Sequence, residues 1–296
     1  MIQGAITAMV TPFTNGQVDY DHLAASVKFQ IQQGIDGLVP VGTTGESPTL
    51  SHEEHRLVIE KVVEAVAAAK RRVKVIAGTG SNATSEALAL TRHAAKVGAD
   101  AALMVNPYYN KPTQEGLYRH FMTVADAVDL PIVLYNIPGR TGVTMSPQTV
   151  ARLAEHANIV AIKEATGSLD MASEIATLTD PRKLTILSGD DSLTLPLMAI
   201  GARGVISVVS NLVPRKVKAL VDAALAGDYG KARKMHLALF PLFKGLFVET
   251  NPIPIKTAMA MAGMDRGELR LPLCEMSETN SAGLNKLLRD YRLIKA

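Results

Sequence analysis

Two apolar runs of this 296-residue chain end in side chains able to do covalent chemistry. Lys163 closes Ile-Val-Ala-Ile-Lys, and Tyr135 nearly closes Pro-Ile-Val-Leu-Tyr-Asn, 28 residues earlier. Each is the fifth residue of its run, so neighbouring parallel strands about 4.8 Å apart would carry them at similar height. Side-chain alternation sets Lys163 on the face of Ile159 and Ala161. If that face lines a barrel, burial disfavours the ammonium and supplies the neutral amine that adds to a ketone to form a Schiff base. The phenol beside it is suited to moving the protons that carbinolamine formation and dehydration demand. The competing reading has Lys163 snorkelling outward or pairing with Glu164, and Tyr135 as a plain wall residue.

Other groups fall at the ends of such runs. In Gly42-Thr43-Thr44-Gly45-Glu46, two glycines let the backbone turn and two hydroxyls add donors, which suits a small carboxylate; the alternative is a tight connection with no ligand. It is not a P-loop, because the Lys-Ser/Thr ending is missing. The carboxylates of Ser188-Gly189-Asp190-Asp191 would repel a phosphate. His52 and His55 stand three apart in His-Glu-Glu-His, not at the spacing that puts two imidazoles on one zinc, so no metal is expected. The loop 106–112 holds Tyr108 and Tyr109, which as adjacent residues point apart. Arg140, in Ile-Pro-Gly-Arg-Thr-Gly, is either a fork for a substrate carboxylate at the rim of the mouth or an ordinary solvated arginine.

Positioning these residues requires repeated βα units. Eight Val-, Ile- and Ala-rich runs, near 4–10, 35–41, 73–78, 100–105, 131–136, 159–163, 184–188 and 204–209, alternate with helical-period stretches. Ser51 to Glu54 reads as a capping box opening a helix at 52–69, and Gly98 as the stop of a helix at 84–97. Strands that are continuously apolar, with no Gly-x-Gly-x-x-Gly after the first, predict an α/β fold of the (β/α)8 TIM-barrel class rather than an open dinucleotide-binding sheet. The barrel is expected over 1–225, with the active site at the C-terminal ends of its strands and 226–296 as a helical extension packed on it. A net charge of +3, with no long block of one sign, argues against dedicated nucleic-acid or membrane binding. With 47% apolar residues the chain can bury a large core. The single cysteine, Cys274, and the absence of a signal-like N-terminus or an 18-residue apolar run lead to the expectation of a cytoplasmic protein.

Taken together, GTTGES at 42–47, NPYYNKP at 106–112, YNIPGRTG at 135–142, IKEATG at 162–167, SGDD at 188–191, GVISV at 204–208 and NPIPIK at 251–256 resemble the dihydrodipicolinate synthase family of pyruvate-dependent Schiff-base aldolases. The resemblance runs in order over essentially the whole chain. It implies that Lys163 forms the Schiff base with pyruvate and that Tyr135 donates and accepts protons, with Thr43 and Tyr109 completing a relay and Tyr109 reaching in from a neighbouring subunit. Thr44, Gly189 and the backbone at Ile206 would hold pyruvate, and Arg140 the carboxylate of L-aspartate 4-semialdehyde. No cofactor is implied, and the expected assembly is a homotetramer of tight dimers. Within the family the competitor is a sugar-acid aldolase resembling N-acetylneuraminate lyase; outside it, a silent keto-acid sensor. Arg140 disfavours the first and the intact relay the second. The resemblance also implies an L-lysine effector pocket at Ser47, His52, His55, Asn82, Glu86 and Tyr108, although Pro48 departs from its pattern and His52 and His55 have an alternative as solvated residues.

Overall fold

The computed structural model describes residues 1–295. Eight parallel strands form a closed barrel: β1 (Gly4–Ala8), β2 (Gly37–Val39), β3 (Lys74–Gly78), β4 (Ala101–Val105), β5 (Ile132–Asn136), β6 (Ile159–Glu164), β7 (Thr185–Ser188) and β8 (Gly204–Ser207). Each pairs with the next, and β8 returns to β1. All eight predicted runs are therefore strands, though β2 is cut to three residues. Helices cover the outside, as expected for strands buried on both faces. A two-stranded hairpin, Phe13–Thr14 with Gln17–Val18, follows β1.

The local signals act as read. Ser51 accepts from the Glu54 amide while the Glu54 carboxylate accepts from the Ser51 amide, opening the helix His52–Ala67. Gly98, at φ 89°, ends the helix Thr84–Val97. Two apolar layers result. One lies between strands and helices, and the other fills the barrel with side chains such as Ile6, Val39, Leu103, Val133 and Ile206. No helix among the described residues is long and apolar enough to cross a membrane.

The seam where β8 meets β1 is built on glycine. Gly4 pairs with Gly204, and a Cβ on Gly204, which sits at φ 149°, would lie 2.0 Å from the Gly4 carbonyl oxygen. No other residue fits there.

After the barrel come the helices Tyr229–Gly245, Ile253–Met261 and Glu278–Asp290. The last stretch is tied back to the first half of the chain by Arg270. Its guanidinium donates to both Glu54 carboxylate oxygens at 2.6 and 2.8 Å and to the Thr49 carbonyl at 3.0 Å, and lies 4.4 Å from the Phe13 ring centroid.

Candidate active site

β5 and β6 pair so that Tyr135 stands directly beside Lys163, and β6 and β7 so that Lys163 stands beside Leu187. The expectation of matched height holds. The expectation that Lys163 shares a face with Ile159 does not. Ile132 pairs with Ile159 but Val133 pairs with Ala161, a bulge that inserts Val160. Val160 and Ala161 therefore both turn toward the barrel interior, while Ile159 joins the helix-side layer. Alternation resumes after the bulge and carries Lys163 to the mouth, 5% exposed, with Nζ 4.2 Å from the centroid of the Tyr135 ring. The outward-pointing alternative and the pairing with Glu164 are both set aside. Glu164 points elsewhere, accepting from the Thr166 amide at 2.6 Å and, more weakly, from Asn136 Nδ2 at 3.5 Å. Burial raises its carboxyl above the usual range, against the pull of those bonds.

Gly189 closes over the lysine. A Cβ there would meet Ala165 Cβ at 2.5 Å and Lys163 Cε at 3.2 Å, so the backbone runs where a side chain would press on the amine. The two carboxylates that follow separate. Asp191 is buried and ties the end of β8, accepting from Ser207 Oγ at 2.5 Å and from the amides of Val208 and Val209 at 2.9 and 3.2 Å. Asp190 is held above the usual carboxylate range by burial, opposed by the nearby Lys163 and Lys244. Only Asp190 thus bears on the site. Ile206 is in the interior layer with Tyr135, paired with Ile6 of β1.

The 42–46 loop is both a tight turn and a donor array. The amides of Gly45, Glu46 and Ser47 donate back to the carbonyls of Gly42 and Thr43, which closes the turn. Those of Thr43 and Thr44 donate to no acceptor among the described residues. Thr44 is buried, its Oγ1 accepting from Asn251 Nδ2 at 3.0 Å; Thr43 is half-buried. Arg140, in the short helix Pro138–Thr141, is exposed and donates through Nη2 to the Asn251 carbonyl at 3.0 Å. Four of its five N–H donors have no such partner among the described residues.

Tyr109 is not brought into the mouth of its own barrel. It is 90% exposed, at φ 71°. Tyr108 instead lines a cavity of about 250 Å³ with Ser47, His52, His55 and Glu86. Asn82 lies outside that lining and contributes its carbonyl to Asn110 Nδ2 at 2.8 Å. The reading of both histidines as solvated fails for one of them. His52 is exposed and lies 3.2 Å from Glu86, but His55 is buried, its Nε2 2.8 Å from the Gly78 carbonyl, and burial lowers its pKa. Burial, reinforced by Glu86, raises the Tyr108 phenol. No three His, Cys, Asp or Glu among the described residues converge as a metal site.

Sequence reasoning missed Glu46, Asn251 and Lys256. Glu46, at φ 53°, sends its carboxylate inward to Lys256 Nζ at 2.7 Å, and that ammonium also donates to the Thr11 carbonyl at 2.9 Å. Both side chains are fully buried. Burial depresses the Lys256 ammonium and Glu46 opposes the shift. The only advance signal was a lone lysine after an apolar stretch in NPIPIK, which does not name its partner.

Known proteins resemble this chain over nearly its full length. The chain matches the model of the Dihydrodipicolinate synthetase family over residues 1–291. It is 57% identical over 294 residues to the 4-hydroxy-tetrahydrodipicolinate synthase of Geotalea uraniireducens, a match that covers 99% of this chain and 100% of that one. The crystal structure of dihydrodipicolinate synthase from Aquifex aeolicus superposes with a TM-score of 0.97 at 55% identity, over 100% of both chains. That of the Cyanidioschyzon merolae enzyme with lysine bound superposes with a TM-score of 0.95 at 41% identity, over 99% of each. With a buried lysine and tyrosine at the mouth of a closed barrel and full-length likeness to these enzymes, the chain belongs to the dihydrodipicolinate synthetase family.

Proposed function

We propose that this protein condenses pyruvate with L-aspartate 4-semialdehyde to 4-hydroxy-tetrahydrodipicolinate, the first committed step towards lysine and diaminopimelate. The observation that carries the reading is the buried Lys163 amine beside the Tyr135 ring on register-paired strands. The Lys163 amine adds to the pyruvate ketone, and water leaves to give the imine. Loss of a methyl proton gives the enamine, whose carbon attacks the aldehyde of the second substrate. That substrate's own amine then displaces Lys163 and closes the ring. Tyr135 carries protons in these steps, with Thr43 and Tyr109 as its relay. The free amides of Thr43 and Thr44, with the Thr44 hydroxyl, the close backbone at Gly189 and the backbone at Ile206, receive pyruvate. An assay with pyruvate and aspartate semialdehyde, coupled to reduction of the product, tests the reading. Turnover of sugar-acid substrates instead, or of neither, overturns it.

Arg140 serves the second substrate in this reading. Arg140→Ala is expected to lower kcat/KM for the semialdehyde by about 10- to 150-fold, the worth of a charge-assisted hydrogen bond. Trapping of the pyruvate adduct should stay near that of the parent protein. Equal loss in both measurements would make the residue structural.

The proposed assembly is a cytoplasmic homotetramer of tight dimers, in which the solvent-exposed Tyr109 enters its neighbour's mouth. L-lysine is the proposed effector, at the cavity of Ser47, His52, His55, Glu86 and Tyr108, with Asn82 beside it. The lysine-bound relative supports this, and Tyr108 adjoins Tyr109, so occupancy of the cavity would reach the relay. Titrating lysine at saturating pyruvate should give partial inhibition. Glu86→Ala should raise the half-inhibitory concentration about tenfold or more by removing the ammonium's partner. Activity unchanged up to millimolar lysine, together with no binding heat, removes the effector from the reading.

A further inference from the structure

Asn251 joins the two substrate positions. It is 95% removed from solvent, and three of its polar groups are used unequally. Nδ2 donates to Thr44 Oγ1 at 3.0 Å, and its main-chain carbonyl accepts from Arg140 Nη2 at 3.0 Å. Oδ1 has no partner. Residues 44, 140 and 251 come from the loop after β2, the loop after β5 and the segment before the helix Ile253–Met261, so a single residue touches both groups that meet a substrate carboxylate in the proposed reaction.

The direction of the Thr44 bond has a chemical consequence. A hydroxyl has one proton and two lone pairs. Because an amide N–H already occupies a lone pair of Oγ1, the Thr44 proton is left to be donated, and no acceptor for it exists among the described residues. It must point at something outside the chain that accepts, as a carboxylate does. The free amides of Thr43 and Thr44 beside it have the same polarity. If Asn251 presented Oδ1 instead, it would take that proton and turn an oxygen lone pair toward the anion. The Arg140 contact adds the second half. One N–H of the fork is anchored on the Asn251 carbonyl, which leaves the others free for a two-pronged grip on a second carboxylate.

We propose that Asn251 is a positioning residue that makes the Thr44 hydroxyl an obligate donor to the keto acid's carboxylate and anchors Arg140 for the second substrate. The proposal rests on the pyruvate-condensing reading above.

The test compares Asn251→Asp with Asn251→Ala, measuring KM for pyruvate, kcat, and the borohydride-trapped adduct at subsaturating pyruvate. Near neutral pH the introduced carboxylate only accepts, so Asn251→Asp should raise the pyruvate KM by roughly 10- to 150-fold. Asn251→Ala merely frees the hydroxyl to rotate and should raise it less than about tenfold. kcat at saturating pyruvate should fall less than KM rises in both. Lowering the pH toward 5 should narrow the gap, because a protonated carboxyl can donate again. A purely structural role gives the opposite order, since Asp has the shape of Asn whereas Ala opens a void. That order, or a gap independent of pH, overturns the proposal. Should Asn251→Asp fail to fold, the cycle of Asn251→Ala with Thr44→Val decides. Non-additive effects on the pyruvate KM support the coupling, and additive effects overturn it. Absence of any adduct in the parent protein overturns both this inference and the function it rests on. An adduct in the parent with the reverse order of variants overturns the inference alone.

Discussion

Lys163→Arg and Lys163→Met are expected to leave no borohydride-reducible pyruvate adduct and to lower turnover by roughly three orders of magnitude or more. The guanidinium stays protonated at any working pH and the thioether has no amine, so neither adds to a carbonyl. The site has little room for compensation. Lys163 is 5% exposed, the Tyr135 ring lies against Nζ, and the backbone at Gly189 closes over Cε. Arginine, the bulkier replacement, should disturb that packing more than methionine. Mass spectrometry of the tryptic peptide after reduction is the measurement. An adduct on another lysine, or undiminished turnover in either variant, would sink the Schiff-base assignment to Lys163.

The second large effect is on stability. Lys256→Met should cost about 3–5 kcal/mol, because it strands the Glu46 carboxylate in the interior with, among the described residues, only the Arg270 amide, at 3.2 Å, still donating to it. For a chain of this size that corresponds to a fall in melting temperature on the order of ten degrees. The double variant Glu46→Gln with Lys256→Met should recover much of the loss, since two neutral groups need no charge partner. Thermal unfolding of the parent, the two single variants and the double variant measures the coupling. Strictly additive losses would show that the pair is not the cause. The pair also bears on chemistry, because Glu46 ends the same turn that carries Thr43 and Thr44, its amide donating to the Thr43 carbonyl at 3.1 Å. A stranded carboxylate that swings outward would drag the loop with it.

These two residues show where reading the chain succeeds and where it stops. Lys163 and Tyr135 were legible because each ends an apolar run of its own and the βα repeat fixes how such runs stand beside one another. Strand positions followed for the same reason, since hydrophobic continuity is a local property. The bulge at Val160 was not legible. A period-two rule assumes a regular pleat, and nothing in Ile-Val-Ala-Ile says which residue is extra. Nor were the pairs of Glu46 with Lys256 and Thr44 with Asn251, which are separated by 210 and 207 residues and meet only because the barrel and the following helices bring their loops to one end. His55 shows the same limit in miniature. Its spacing from His52 suggested a shared surface, yet the helix places one in solvent and the other against the Gly78 carbonyl.

The glycine seam between β1 and β8 concerns the birth of the molecule more than its work. β1 gains its β2 neighbour soon after it is made, but its other edge waits for Gly204, some two hundred residues later. At synthesis rates of roughly 5–20 residues per second, that edge is bare for about 10–40 s. During that time it is an unpaired strand of five small or apolar residues with polar groups ready to pair with any passing chain. Circle closure is therefore a late, long-range event, and one that tolerates no side chain at Gly204. A defect there would show first as nascent chains captured by chaperones or lost to aggregates, while the rare molecules that closed would carry an unaltered catalytic mouth.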